Sequence, residues 1–138
     1  MPSNNTLRKT RKNKSKHTRL MDKAWKLCSE YVRRRDDGVC FTCGKKDDWK
    51  RQQAGHFIHG KSTPIYFNPK NVNCQCPRCN KWLSGDLAIY ERKLQKKYGI
   101  DEVDKLLDAK NKIHYYKIKE LNEIIADYKQ KLELLNEK

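Results

Sequence analysis

An α+β fold is predicted for this chain: a small strand–loop–strand–helix core between an N-terminal helix and a C-terminal helical extension. Three observations carry that prediction. Two Cys-x-x-Cys pairs, Cys40/Cys43 and Cys76/Cys79, bracket residues 44–75. Inside the bracket, residues 52–57 and 71–76 have the length and punctuation of short strands. Outside it, apolar residues recur at helical spacing on both sides.

The bulk composition agrees with a small, clipped core. The 138 residues suit one domain with appendages, and hydrophobic and charged residues each make up 36% of them. Such a chain buries little apolar surface, so a bound metal would add stability that packing alone does not supply. The net charge of +15 calls for a polyanionic partner. Nucleic acid fits better than an anionic membrane, because the basic stretches lack the apolar face of an interfacial helix. No apolar run approaches the roughly 20 residues needed to cross a bilayer, and no apolar signal-peptide core is evident, so a cytoplasmic protein with no membrane partner is expected.

Along the chain, residues 1–19 read as a basic disordered arm suited to grasping phosphates, with Arg8, Lys9, Arg11, Lys12, Lys14, Lys16 and Arg19 and no acidic residue. Residues 20–99 hold the N-terminal helix and the core, and residues 100–138 the helical extension. Met21, Trp25, Cys28 and Tyr31/Val32 give the first helix its apolar side, with Thr18 as cap and Asp36-Asp37-Gly38 as stop. Arg33, Arg34 and Arg35 close its last turn, where they suit the helix dipole or can contact phosphates. Pro77 is placed to open a helix through Leu83, and further helices are expected over residues 86–98, 101–109 and 112–136. On the last, Ile118, Leu121, Ile125, Tyr128, Leu132 and Leu135 form a narrow seam. It either packs on the protein's own helices or makes a homodimer contact.

The cysteines point to zinc. Zinc takes four soft ligands tetrahedrally, and two tight Cys-x-x-Cys turns supply them. Cys40, Cys43, Cys76 and Cys79 are the predicted ligands. With all four positions filled by protein, the ion would be structural. Cys28 is assigned to packing, and Cys74 is a poor candidate for the set.

The segments between and after the cysteines resemble a known family. Ala54-Gly55-His56, Asn71-Val72-Asn73 and Cys76-Pro77-Arg78-Cys79-Asn80 look like the motif of HNH endonucleases, whose core is of the ββα-metal type. With Cys40–Gly44, Tyr66–Asn68 and Ser84–Gly85 added, most of the chain beyond the basic arm resembles the NinG/Rap recombination endonucleases of lambdoid phages. The resemblance implies metal-dependent hydrolysis of branched DNA, such as Holliday junctions and D-loops, in the host cytoplasm. It implies His56 as general base, Asn80 as ligand of a catalytic Mg²⁺ or Mn²⁺, and Asn71 as the amide that pins the loop orienting the base. Many HNH enzymes carry Asp immediately before the catalytic His, where this chain has Gly55. His59 and Asp86 are the substitutes considered for that second ligand. Arg33, Arg34, Arg35, Lys61, Lys70, Arg78 and Lys81 are candidate DNA contacts. Trp49, Trp82 and Tyr66 can stack on exposed bases, although aromatics in so small a domain more often fill the core. The alternatives are a nicking or sequence-specific HNH enzyme, and a non-catalytic zinc-ribbon module that binds DNA.

Overall fold

The structure, a computed structural model, describes residues 13–137. Helix α1 spans Lys16–Arg35 and begins earlier than Thr18, because Ser15 is the cap: its Oγ accepts the Thr18 amide at 3.1 Å. Residues 1–12 of the expected basic arm lie outside the described residues, while Lys16 to Arg19 belong to α1. The helix stops as the Asp-Asp-Gly signal predicts. Asp37 and Gly38 take φ of 52° and 68°, and a Cβ on Gly38 would lie 1.9 Å from the Asp47 carbonyl oxygen. Only glycine fits there.

Strands β1 (Gln53–His56) and β2 (Val72–Gln75) pair antiparallel, with Gln53 opposite Gln75 and His56 opposite Val72. Pro77 then leads into one π-helical turn, Arg78–Trp82, where an ordinary helix was expected. Helices α2 (Leu87–Tyr98), α3 (Ile100–Ala109) and α4 (Ile118–Asn136) follow. Helix α4 starts six residues later than the expected start at residue 112. Residues 112–117 form instead an irregular strap over the β1–β2 loop, with the His114 amide on the Ser62 carbonyl at 2.6 Å and Tyr116 Oη on the Thr63 carbonyl at 2.7 Å.

Two apolar clusters flank the sheet. Ala24, Cys28 and Val32 of α1 meet Leu121, Ile125 and Tyr128 of α4, together with Tyr66, Phe67 and Val72. Phe57, Ile58 and Ile65 of the β1–β2 loop meet Tyr90 and Leu94 of α2 and Val103, Leu106 and Ala109 of α3. Leu121, Ile125 and Tyr128 of the α4 seam are thus buried against α1 of the same chain, where each buried Leu or Ile contributes about 1.5–3 kcal/mol, while Ile118 stays 39% exposed. The β1–β2 loop, clamped by both clusters and the strap, becomes a stiff platform beside the end of β1. No helix among the described residues is long and apolar enough to cross a membrane.

Candidate functional site

The four paired cysteines converge. The Sγ atoms of Cys40, Cys43, Cys76 and Cys79 all lie within 4.8 Å of one another, and Cys43 and Cys76 are 3.7 Å apart. A tetrahedral ion with Zn–S bonds of about 2.3 Å needs sulfur separations of roughly 3.8 Å. Amides aim at the sulfurs from inside both turns: Cys43 N at Cys40, Lys45 N at Cys43 and Cys79 N at Cys76, each at 3.5 Å. Burial opposes ionisation of Cys40, but the Thr42 hydroxyl and neighbouring amides overcome it and bring the thiol down to about 6. The cluster can therefore hold a metal such as zinc. All six cysteines are free thiols, and Cys28 and Cys74 are buried outside the cluster.

His56 ends β1 and is 8% exposed. Its ring packs against both Trp25 and Tyr66, with centroids 4.6 and 4.7 Å away and planes within 19° and 18° of parallel, and those two rings are themselves 5.3 Å apart, so the three form one cluster. Nε2 is 2.9 Å from the Tyr66 carbonyl oxygen. A carbonyl only accepts, so Nε2 carries the proton and Nδ1 is the lone-pair nitrogen. Among the described residues Nδ1 has no hydrogen-bond partner, and it is not among the atoms sealed from solvent, of which the only unpartnered one is Gln75 Oε1. Burial pushes the imidazole down to about 4, which keeps it neutral at pH 7.

Asn71 is fully buried and bridges the two ends of the loop. Its Oδ1 accepts the Ile58 amide at 2.8 Å, and its Nδ2 donates to the carbonyls of Ile58 and Ile65 at 2.9 and 3.1 Å. Asn80 stands on the π turn, where Nδ2 donates to Gln53 Oε1 at 2.8 Å. Its Oδ1 faces β1: a Cβ on Gly55 would lie 2.9 Å from it and only 1.8 Å from Gln75 Oε1. Residue 55 is glycine because the Gln75 amide fills the space a side chain would need.

His59 is exposed, its ring 6.1 Å from that of His56, and it leans toward the Gly85 turn. Asp86 adopts a left-handed φ of 50° at the start of α2 without capping it. Neither joins a group of three or more His, Cys, Asp or Glu side chains able to share an ion; among the described residues only the cysteines do.

The candidate DNA contacts divide. Arg78 and Lys81 are exposed on the π turn and make no salt bridge among the described residues. Lys61 is exposed on the loop, near His17 and Asp22. Lys70 pairs with Glu102 at 2.9 Å. Arg33 donates to the carbonyls of Ser29 and Trp49, and Arg34 bonds Asn136. Arg35 departs from the expectation of a phosphate contact. It grips Asp36 through two nitrogens and donates to Pro69 O at 2.8 Å, Val72 O at 3.3 Å and Asn73 Oδ1 at 3.0 Å. That guanidinium ties α1 to the sheet.

Three residues to which the sequence reading gives no role complete the support. Asn73 donates to Tyr90 Oη at 2.9 Å, Tyr90 donates to the Gly55 carbonyl at 2.7 Å, and Gln75 reaches Thr42 and the Gly85 carbonyl. Their signal in the sequence is faint: two amides alternating along a strand that is otherwise apolar.

A family model described as Bacteriophage Lambda NinG protein matches residues 3–138. Among curated proteins, Protein ninG of Escherichia phage lambda is 33% identical over 111 residues, 79% of this chain and 53% of the relative. Protein ninG of Salmonella phage P22 is 32% identical over 116 residues, 83% of this chain and 56% of the relative. The chain thus spans about half the length of the curated relatives it matches. No solved structure matches it.

Proposed function

The chain belongs to the NinG family of phage proteins, and from that premise we propose that it is a metal-dependent endonuclease that cuts branched DNA during phage recombination in the host cytoplasm. In this reading residues 53–82 form an HNH core of the ββα-metal type. The observation that carries the proposal is the state of His56: a neutral imidazole, its tautomer fixed by the Tyr66 carbonyl, with Nδ1 open at the end of a braced strand.

Hydrolysis of a phosphodiester needs a water stripped of its proton as its oxygen attacks phosphorus. His56 Nδ1 accepts that proton, the P–O bond to the departing sugar oxygen breaks, and that oxygen is reprotonated from solvent. Trp25 and Tyr66 hold the ring plane, and Asn71 holds the loop behind it. Burial makes His56 a weak base before DNA arrives. An adjacent phosphate favours the imidazolium and raises its proton affinity toward neutrality.

Asn80, half-buried on the π turn with its Nδ2 committed to Gln53, would hold Mg²⁺ or Mn²⁺ through Oδ1, a hard oxygen donor. When bound, such an ion neutralises charge on the phosphate and stabilises the leaving oxygen. That oxygen belongs to a neutral amide, so the DNA phosphate would supply the countercharge, and a sparse protein site is in keeping with magnesium chemistry. Zinc held by the four cysteines would have no open position for water and would fix the π turn against the Cys40–Cys43 turn.

The test is cleavage of an end-labelled four-way junction and of matched linear duplex by the full chain with Mg²⁺ or Mn²⁺. Metal-dependent cutting of the junction in preference to duplex is expected. Equal cutting of both would make it a general or sequence-specific HNH nuclease. Binding without cutting by folded, zinc-loaded protein would make it a DNA-binding module.

A further inference from the structure

Trp82 closes the π turn with its side chain in solvent. It is 83% exposed, the most exposed aromatic among the described residues, and its chain neighbours Leu83 and Leu87 are 41% and 43% exposed. The other two tryptophans are occupied, Trp25 against His56 and Trp49 under the Arg33 guanidinium at 5.1 Å. An indole left in water forfeits the largest burial gain any side chain offers, so its placement calls for a partner.

The turn beneath it is braced. Asn80 N bonds the Cys76 carbonyl at 3.0 Å, Leu83 N the Arg78 carbonyl at 2.9 Å and Gly85 N the Cys79 carbonyl at 2.8 Å. Cys76 and Cys79 anchor the same stretch in the thiol cluster, and Gln75 clasps Gly85 from below. The indole is therefore held out on a preset support, and binding a partner would require little ordering of the chain. Residues 77–85 include Arg78 and Lys81 and no acidic residue. Both cations are exposed. A flat apolar face set among uncompensated positive charges fits a group that is itself flat, apolar on its faces and tethered to anions. A nucleobase in single-stranded DNA is such a group, since every base has a π-face and carries its phosphate with it. A base inside a duplex has both faces covered by its neighbours, so the partner must be unpaired.

The geometry points to Trp82 as a base-stacking residue that takes an unpaired nucleobase at a branch point or gap, with Arg78 and Lys81 on the flanking phosphates. The inference rests on the nuclease reading for its class of substrate and deepens it. Preference for branched DNA would originate here, on the same turn that carries Asn80, because only a substrate that frees a base can engage the indole.

The experiment measures affinity in a His56→Ala background, where cutting does not interfere. Its probes are a duplex with a two-base bulge and the fully paired duplex of the same sequence. Trp82→Ala is expected to weaken bulge binding by about 5- to 150-fold while leaving paired-duplex binding within about twofold. Trp82→Phe should retain part of the preference, and because the side chain is exposed, neither variant should shift the melting temperature. Equal losses on both probes, or no loss on either, overturn the stacking role and leave the nuclease reading intact. Self-association that depends on Trp82 in the absence of DNA, seen by sedimentation, also overturns it and makes the patch a protein interface. Conversely, a Trp82-dependent bulge preference in a chain whose wild type cuts nothing upholds the stacking role while the nuclease reading falls.

Discussion

The phenol of Tyr90 donates a 2.7 Å hydrogen bond to the carbonyl of Gly55, the residue before His56, and accepts another from Asn73 at 2.9 Å. Arg35 completes the line through Asn73 Oδ1 at 3.0 Å, so one buried chain of bonds runs from α1 across the sheet to α2. Burial also holds the phenol un-ionised throughout the physiological range. Its consequence for function is positional: it fixes the strand just where the candidate base leaves it.

Tyr90→Phe removes the hydroxyl, so the Gly55 carbonyl loses this donor and Asn73 Nδ2 keeps only the Lys70 carbonyl at 3.1 Å. A loss of about 1–3 kcal/mol in folding stability is expected, read from urea denaturation. Cleavage should also slow in protein that is still folded, because His56 loses its backbone restraint. Unchanged stability would mean that solvent satisfies those groups.

The thiol cluster predicts one zinc per chain. Cys79→Ser should bind less than stoichiometric metal and melt well below wild type, since Cys79 links the π turn to Cys40 on the first knuckle. Metal content by atomic emission alongside thermal melting checks this. Full stability in a metal-free Cys79→Ser variant would show that the thiols pack without an ion.

The histidine shift has a pH signature. Its folded value, about 4, lies below the ordinary 6.5, so the unfolded chain binds more protons between those two values. Stability therefore falls as pH drops through that window, and the contribution is fully present above pH 6.5. His56→Gln should flatten the pH dependence of the denaturation midpoint between pH 7.5 and 4.5. In kinetics, the acid limb of kcat/KM should lie well below 6.5, while that of kcat, which reports the DNA-bound state, should lie higher.

The arginines and lysines separate by salt dependence. Arg78→Ala and Lys81→Ala should each lower the slope of log K against log salt by about 0.7–0.9, with stability unchanged. Arg35→Lys should destabilise the fold, because an ammonium cannot reproduce five directed bonds, and leave the slope unchanged. The reverse pattern would place Arg35 on the phosphate backbone.

Much of this organisation was legible in the residues. Two cysteine pairs at ligand spacing define a cluster irrespective of the path between them, and strands β1 and β2 begin and end within two residues of where alternation and turn signals put them. The misses share a cause: in each, a contact distant in sequence overrode a local preference. Residues 112–117 read as the first turns of the last helix, but His114 and Tyr116 are held by the carbonyls of Ser62 and Thr63. The chain after Pro77 widens into a π turn because Cys76 and Cys79 must both reach the cluster. Arg35 reads as one of three equal surface cations until the sheet closes over it. Gly55 reads as a missing carboxylate, and only the Gln75 side chain pressed against its Cα explains why nothing larger stands there.

The most direct test of the central claim is single-turnover cleavage of a labelled four-way junction at saturating protein with Mg²⁺, comparing wild type with His56→Ala. If His56 is the base, the variant should bind the junction within a few-fold of wild type and cut it about 10²- to 10⁴-fold more slowly. A folded His56→Ala protein that cuts at the wild-type rate would contradict the assignment.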